Sequence, residues 1–205
     1  MPYADIVFPQ DNESDFVEKA KELGISKLTF VYNYQTDFAK VKKKLKDLEL
    51  PIKIGVLVPY NLTRKQMDKL KGMTKFYRSQ MTHMRHVIEK KLANVVFDIE
   101  DVGKKEYMHH RNSGMNQVIA KLMKKNKITW GVSFSTLLGA LRDNRIKLLG
   151  RIVQNIKIQD KYKFNGVFAS FAKIPAEMRA IKDLQSVLVA LGMNEKLAKA
   201  MMLKV

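Results

Sequence analysis

Ile128-Thr-Trp-Gly-Val-Ser133, then NRIKLLGRIVQNIKIQDKY over 144–162, then Val167-Phe-Ala-Ser170 is the stretch that decides the fold. The first and last runs are short and rich in β-branched and aromatic residues. The middle one places Ile146, Leu149, Val153 and Ile156 on one helical face. The spacing therefore predicts a strand, a long helix and a second strand. On the side of that helix opposite the apolar face stand Lys147, Arg151, Gln154 and Lys161.

Outward from this unit the alternation repeats. Strand-like runs occur at Tyr3–Phe8, Lys27–Tyr32, Ile52–Val58 and Val95–Ile99, with a weaker one at Thr74–Arg78. Helix-period segments lie between them at Ser14–Leu23, Thr36–Leu48, Thr63–Leu70, His83–Leu92 and Asn112–Lys125. Two more, Lys182–Leu191 and Glu195–Leu203, close the chain on either side of Gly192. Strand–helix alternation of this kind means βα repeats and a parallel sheet. Seven runs are near the eight of a (β/α) barrel, although a doubly wound open sheet also fits. No Pro-, Gly- or Ser-rich linker divides the 205 residues. The expectation is a single α/β domain over 1–205, a TIM-barrel-like barrel of about seven to eight parallel strands with surrounding helices.

Composition narrows the partners. Lys and Arg number 38 against 20 Asp and Glu, a formal net charge of +18. The excess is uneven. Residues 1–23 are acidic, whereas 64–91 carry nine bases against Asp68 and Glu89, and 142–163 carry seven against Asp143 and Asp160. A charge this large favours polyanions, and phosphate neutralisation with counterion release makes nucleic acid the leading partner class. An anionic membrane is less apt, because the one Trp, Trp130, sits in a strand-like run rather than on an amphipathic helix. No apolar run approaches the roughly 18 residues of a membrane span. The absence of Cys excludes disulfides, thiolate metal sites and a cysteine nucleophile, and fits a cytoplasmic location. The N-terminus does not read as a signal peptide.

Sites for chemistry are sparse. GxGxxG, GxxxxGK and GxSxG motifs are absent, as are zinc-finger, bZIP and RNP1 signatures. His83 and His86 stand three apart with no carboxylate motif beside them, and surface histidines are the plainer reading. Asp98 and Glu100 end the fifth run, where alternation aims both to one side, and the polar interruption Glu100–Arg111 carries His109 and His110. Together these four compose the enzyme alternative, a stand-alone metal-dependent phosphoesterase or nuclease.

Five blocks in the second half carry a more specific signal. They are Arg111-Asn-Ser-Gly-Met-Asn-Gln-Val-Ile-Ala-Lys-Leu-Met, Ile128-Thr-Trp-Gly-Val-Ser-Phe-Ser-Thr-Leu-Leu, and Leu149-Gly-Arg-Ile-Val-Gln-Asn-Ile-Lys. Phe168-Ala-Ser-Phe-Ala, and then Glu177-Met-Arg-Ala-Ile-Lys-Asp-Leu with Ala190-Leu-Gly-Met, complete the series. In order and spacing they resemble the archaeal and eukaryotic ribonuclease P protein component 3 family, from about residue 84 to the end. The resemblance implies a barrel-like α/β fold and an RNA-binding subunit of a ribonucleoprotein that removes 5′ leaders from precursor tRNA. It also implies that the RNA subunit carries the chemistry with Mg²⁺, with no cofactor on this chain. The implied partners are the ribonuclease P RNA, precursor tRNA indirectly, and a small ferredoxin-like protein subunit in a two-plus-two assembly.

By resemblance, Arg85, Lys121 and Arg179 occupy positions where the family holds a basic residue, and Asp183 one where it holds Asp. Arg111 and Lys182, within the matching blocks, join Lys147 and Arg151 to make the set of expected RNA contacts. Arg179 and Asp183, four apart at a helix start, are expected to form a structural ion pair. The chain departs from the family pattern at His110-Arg111-Asn112, at Asn116-Gln117 and at Ile181. The related metal-dependent phosphoesterases carry His-x-His after the first strand; here that place reads Asp5-Ile-Val-Phe-Pro. A third alternative is a general basic RNA-binding protein outside ribonuclease P.

Overall fold

The computed structural model describes residues 3–102, 106 and 108–202. Part of the Glu100–Arg111 interruption, at 103–105 and 107, thus lies outside the described residues, as does Leu203 at the end of the last predicted helix. Seven strands form one sheet in sequence order, every neighbouring pair parallel. They are β1 (Ala4–Val7), β2 (Lys27–Asn33), β3 (Ile52–Leu57), β4 (Thr74–Arg78), β5 (Val95–Phe97), β6 (Thr129–Ser133) and β7 (Gly166–Ala169).

Around them lie α1 (Glu13–Glu22), α2 (Phe38–Lys44), α3 (Arg64–Lys69), α4 (Met84–Glu89), α5 (Gln117–Asn126), α6 (Phe134–Gly139), α7 (Arg142–Tyr162), α8 (Ile181–Ala190) and α9 (Glu195–Met201). Single 3₁₀ turns follow β5 and precede α8. The weak run at Thr74–Arg78 is a full strand. Helix α6 is an addition to the sequence reading: the Ser133 hydroxyl caps it by accepting from the Thr136 N–H, so the chain turns helical at once after β6.

The sheet curls until its edges nearly meet. Val7 and Ala172 form one parallel bridge, and the Phe8 N–H donates to the Ala172 carbonyl at 2.7 Å. A buried carboxylate completes the seam. Asp5 Oδ1 accepts the Ser170 N–H at 2.7 Å and Oδ2 accepts the Ser170 hydroxyl at 2.6 Å. Burial pushes the Asp5 carboxyl up to about 6, with the Ser170 and Ile6 hydrogen bonds acting in the opposite sense.

The two faces of the strands feed two cores. Outward residues such as Leu28, Phe30, Val96 and Trp130 pack under the helices. Inward residues Ile6, Val31, Phe76, Val95, Phe97, Val167, Ala169 and Phe171 fill the barrel. Gly55 and Gly131 face the same interior. A Cβ on Gly55 would lie 2.6 Å from the Phe76 ring, and one on Gly131 would lie 2.7 Å from the Phe97 Cβ. The missing side chains make room for three phenyl rings, with Phe97 and Phe171 stacked at 4.8 Å. Phe171 reaches that position through a φ of +50°, a strained value for a bulky residue.

Candidate nucleic-acid interface

The carboxyl ends of the strands open onto a cavity of about 630 Å³. Its floor is Phe8, Phe97 and Phe171, and its polar wall comes from Arg78, Asp98, Thr136 and Lys173. Asp98 directly follows β5 with φ at +56°, so strand alternation ends at Phe97 rather than running on to Ile99. That left-handed turn aims the Asp98 carboxylate into the mouth. Arg78 Nε donates to its Oδ2 at 2.9 Å and the Thr136 hydroxyl donates to its Oδ1 at 2.9 Å. Burial raises the Asp98 carboxyl above its usual range, and Arg78 and Thr136 pull against it. Arg78 also reaches Asp101 at 3.6 Å.

Glu100 does not share this environment. It lies on the 3₁₀ turn, where alternation no longer applies, and its Oε1 accepts Trp130 Nε1 at 2.7 Å and Asn155 Nδ2 at 2.8 Å. Burial lifts its carboxyl to about 7 against those two hydrogen bonds. His109 and His110 are exposed at the surface. Among the described residues no three His, Asp, Glu or Cys side chains come together as metal ligands. His83 stacks on Tyr60, ring centroids 3.6 Å apart and planes 3° apart.

The basic stripe expected on α7 is turned by about one residue. Its buried positions are Leu148, Arg151, Ile152, Asn155, Ile156 and Gln159, while Ile146 is 59 % exposed. Arg151 is therefore not a surface phosphate contact. Its Nε pairs with Glu106 Oε1 at 2.7 Å and its Nη1 donates to the Glu100 carbonyl at 2.8 Å. Glu106 also accepts the Asn112 N–H at 2.9 Å. Burial raises this carboxyl, but the Asn112 N–H and the Arg151 guanidinium outweigh it, and the net lies below the usual range.

Gln154 holds the same loop further along. It accepts from the Arg111 N–H and donates to the Arg111 carbonyl and the Ser113 hydroxyl. Asn155 donates to the Ser113 carbonyl. The partner of this part of α7 is a polar loop, which is why polar side chains face inward. The Arg111 side chain lies over Gly150, where a Cβ would come within 2.7 Å of its Nε.

The expected pair of Arg179 and Asp183 does not form. Helix α8 starts at Ile181, and Ala180 before it is extended, with φ −60° and ψ 144°, so the two residues are not one helical turn apart. Arg179 instead donates to the carbonyls of Ala176 and Met178 and lies over the Phe134 ring at 5.8 Å.

The remaining cations divide between two places. Arg85 on α4 and Lys121 on α5 are exposed on helices that pack side by side, and α5 also packs on α7, which carries the half-buried Lys147. Lys182 is exposed on α8. Arg85 is bound to Glu89 at 2.7 Å. Two departures from the family pattern have local explanations. Asn116 caps α5 by accepting the Ile119 N–H, and Ile181 fills the first position of α8 with a buried side chain.

Known proteins resemble this chain in sequence and in fold. Ribonuclease P protein component 3 of Methanosarcina acetivorans is 29 % identical over 85 residues, which is 42 % of this chain and 36 % of that protein, little more than a third of its length. A chain of archaeal ribonuclease P, solved by cryo-EM with mature tRNA, superposes with a TM-score of 0.79 at 20 % identity, covering 97 % of this chain and 86 % of that one. A Xaa-Pro dipeptidase with methionine in its active site shares the barrel at a TM-score of 0.62 and 10 % identity, covering 98 % and 73 % of the two chains. These structural likenesses concern the fold. The sequence pattern described as RNase P subunit p30 matches residues 100–205, the half that holds the buried loop–α7 network, and the chain belongs to that family.

Proposed function

We propose that this chain is a protein subunit of ribonuclease P, which binds the enzyme's RNA and supports its folding and its removal of 5′ leaders from precursor tRNA. The observation that carries the reading is the p30 family match over more than half of the chain. The net charge of +18 supplies the affinity for RNA. The phosphate contacts are assigned to Arg85, Arg111, Lys121, Lys147 and Lys182, with the half-buried Arg179 contributing.

In this reading the RNA subunit carries the cleavage chemistry with Mg²⁺, and this chain positions rather than cuts. The mouth supports that division, because the Asp98 carboxylate is engaged by Arg78 and Thr136. A small ferredoxin-like subunit, two copies of each protein, and the cytoplasm complete the proposal. No helix among the described residues is long and apolar enough to cross a membrane. Reconstitution tests it: precursor-tRNA cleavage is measured with the RNA subunit and the partner protein, with and without this chain, at moderate Mg²⁺. Stimulated cleavage, with none by the chain alone, is the expected result. Chelator-sensitive cleavage by the chain alone overturns it in favour of an enzyme, and no effect moves the role to a general RNA-binding protein.

A further inference from the structure

The loops after β3 and β4 lie side by side, because those two strands are paired. They hold Tyr60 and His83 stacked face to face, centroids 3.6 Å apart, with Tyr60 still 36 % exposed. A stacked pair fixed by two loops leaves an outer ring face on which a third ring can extend the stack with little loss of entropy. The surroundings are cationic. Residues 60–86 hold seven Lys and Arg against the single acid Asp68, although Arg78 and Arg85 are paired with acids beyond the segment, Asp98, Asp101 and Glu89. Arg64 and Lys65 open α3 four and five residues after Tyr60, both exposed and with no ion pair among the described residues. Met81, 52 % exposed, lies on the same loop as His83 and lines a recess of about 380 Å³ with Arg78, Ser79, Gln80 and Asp101. That volume falls in the roughly 300–1,000 Å³ range of small-ligand sites. A protein partner would want an apolar pocket here; the flat ring pair with uncompensated cations suits a nucleobase and its phosphates.

We propose that Tyr60 and His83 form a stacking platform for an unpaired base of an RNA strand, with Arg64 and Lys65 on the flanking phosphates. The inference rests on the RNA-subunit reading and assigns it a contact outside the matched residues 100–205. Stacking on an aromatic tolerates any base, so the platform selects single-stranded over duplex RNA without selecting sequence.

The test uses the full chain and two probes, a fluorescein-labelled ten-nucleotide mixed-sequence single-stranded RNA and the same sequence as a duplex, read by anisotropy. Tyr60→Ala is expected to weaken the single strand by about tenfold to a hundredfold. It should spare the duplex and leave the salt dependence unchanged. Tyr60→Phe should bind as wild type. Arg64→Ala and Lys65→Ala should each lower the magnitude of the log K against log [salt] slope by about 0.7 on the single strand. Failure of wild type to bind the decamer, or wild-type binding by Tyr60→Ala, overturns the proposal. So does equal loss on both probes, or a Tyr60→Phe defect matching Tyr60→Ala. Reconstituted cleavage separates the two levels. Stimulation by wild type together with an inert Tyr60→Ala substitution removes only the platform. A decamer defect in Tyr60→Ala without any stimulation by wild type removes the ribonuclease P reading and leaves the platform standing.

Discussion

Replacing Glu100 by Gln removes a carboxyl that burial lifts from 4.5 to about 7 in the folded chain. Between those values the folded state holds a proton that the unfolded state has lost. The stability this group contributes is therefore greatest below about pH 4.5 and falls as pH rises to about 7. The full span is worth about 3 kcal/mol at 1.36 kcal/mol per pH unit, and about 2 kcal/mol of it is lost between pH 5 and 7. For a chain of this size that amounts to roughly 4–8 °C in Tm. Gln keeps an oxygen for Trp130 Nε1 and Asn155 Nδ2 and carries no charge, so the Glu100→Gln protein should lose this slope and overtake wild type above about pH 7. Trp130 is the one tryptophan and donates directly to Glu100 at 2.7 Å. Its emission reports the titration without interference. Wild-type emission should shift with a midpoint near 7, and the variant should show no shift. A wild-type midpoint below 5, or an unchanged Tm slope in the variant, would refute the reasoning.

Arg151→Ala leaves Glu106 without its buried partner and the Glu100 carbonyl without its donor. It should cost about 3 kcal/mol or more in chemical denaturation, with little change in the salt dependence of RNA binding. Gly131→Ala forces a Cβ against Phe97 and should cost about 1–3 kcal/mol, read as a lower denaturation midpoint. Lys121→Ala removes an exposed cation and should leave Tm unchanged while reducing the RNA-binding salt slope by about 0.7–0.9. Asp5→Asn should flatten the decline in Tm between about pH 4 and 6, because the Asp5 carboxyl rises to about 6 and costs stability once ionised.

The barrel was legible because its determinants are local. Each strand is an apolar run between turn residues, and each βα unit repeats the pattern, so even the weak Thr74–Arg78 run found its place by order in the sheet. The seam was not legible. Nothing near Asp5 in sequence announces a bond to Ser170, 165 positions away. The reading of α7 went astray for a related reason. Periodicity assigns polar residues to solvent, which holds when a helix packs on an apolar sheet. Here part of the buried face meets a loop whose carbonyls and Glu106 need donors, so Arg151 and Asn155 point inward and Ile146 outward. The dipeptide Gly150-Arg151 carried the only sequence hint, a residue without a side chain where Arg111 lies across the helix. Tyr60 was missed because a lone aromatic in a loop has no periodic signature, and its meaning comes from His83 on the next unit.

A barrel mouth at the carboxyl ends of parallel strands is where this fold places catalysis, and in this chain the acids around that mouth are tied into hydrogen bonds. Asp98 is held by Arg78 and Thr136, the interior beneath is filled by Phe76, Phe97 and Phe171, and Glu100 is withdrawn behind β6 against Trp130 and Asn155. In this chain the acids hold loops in place. The buried network from Glu100 through Arg151 to Glu106 fixes the polar segment ahead of α5 onto α7, and the Arg78–Asp98–Thr136 bonds tie the end of β4 to β5 and α6. These bonds anchor loops around the mouth, at the end of the sheet where the loops after β3 and β4 present their rings and cations, and in the proposed role such an anchored, charged surface suits contacts to RNA phosphates.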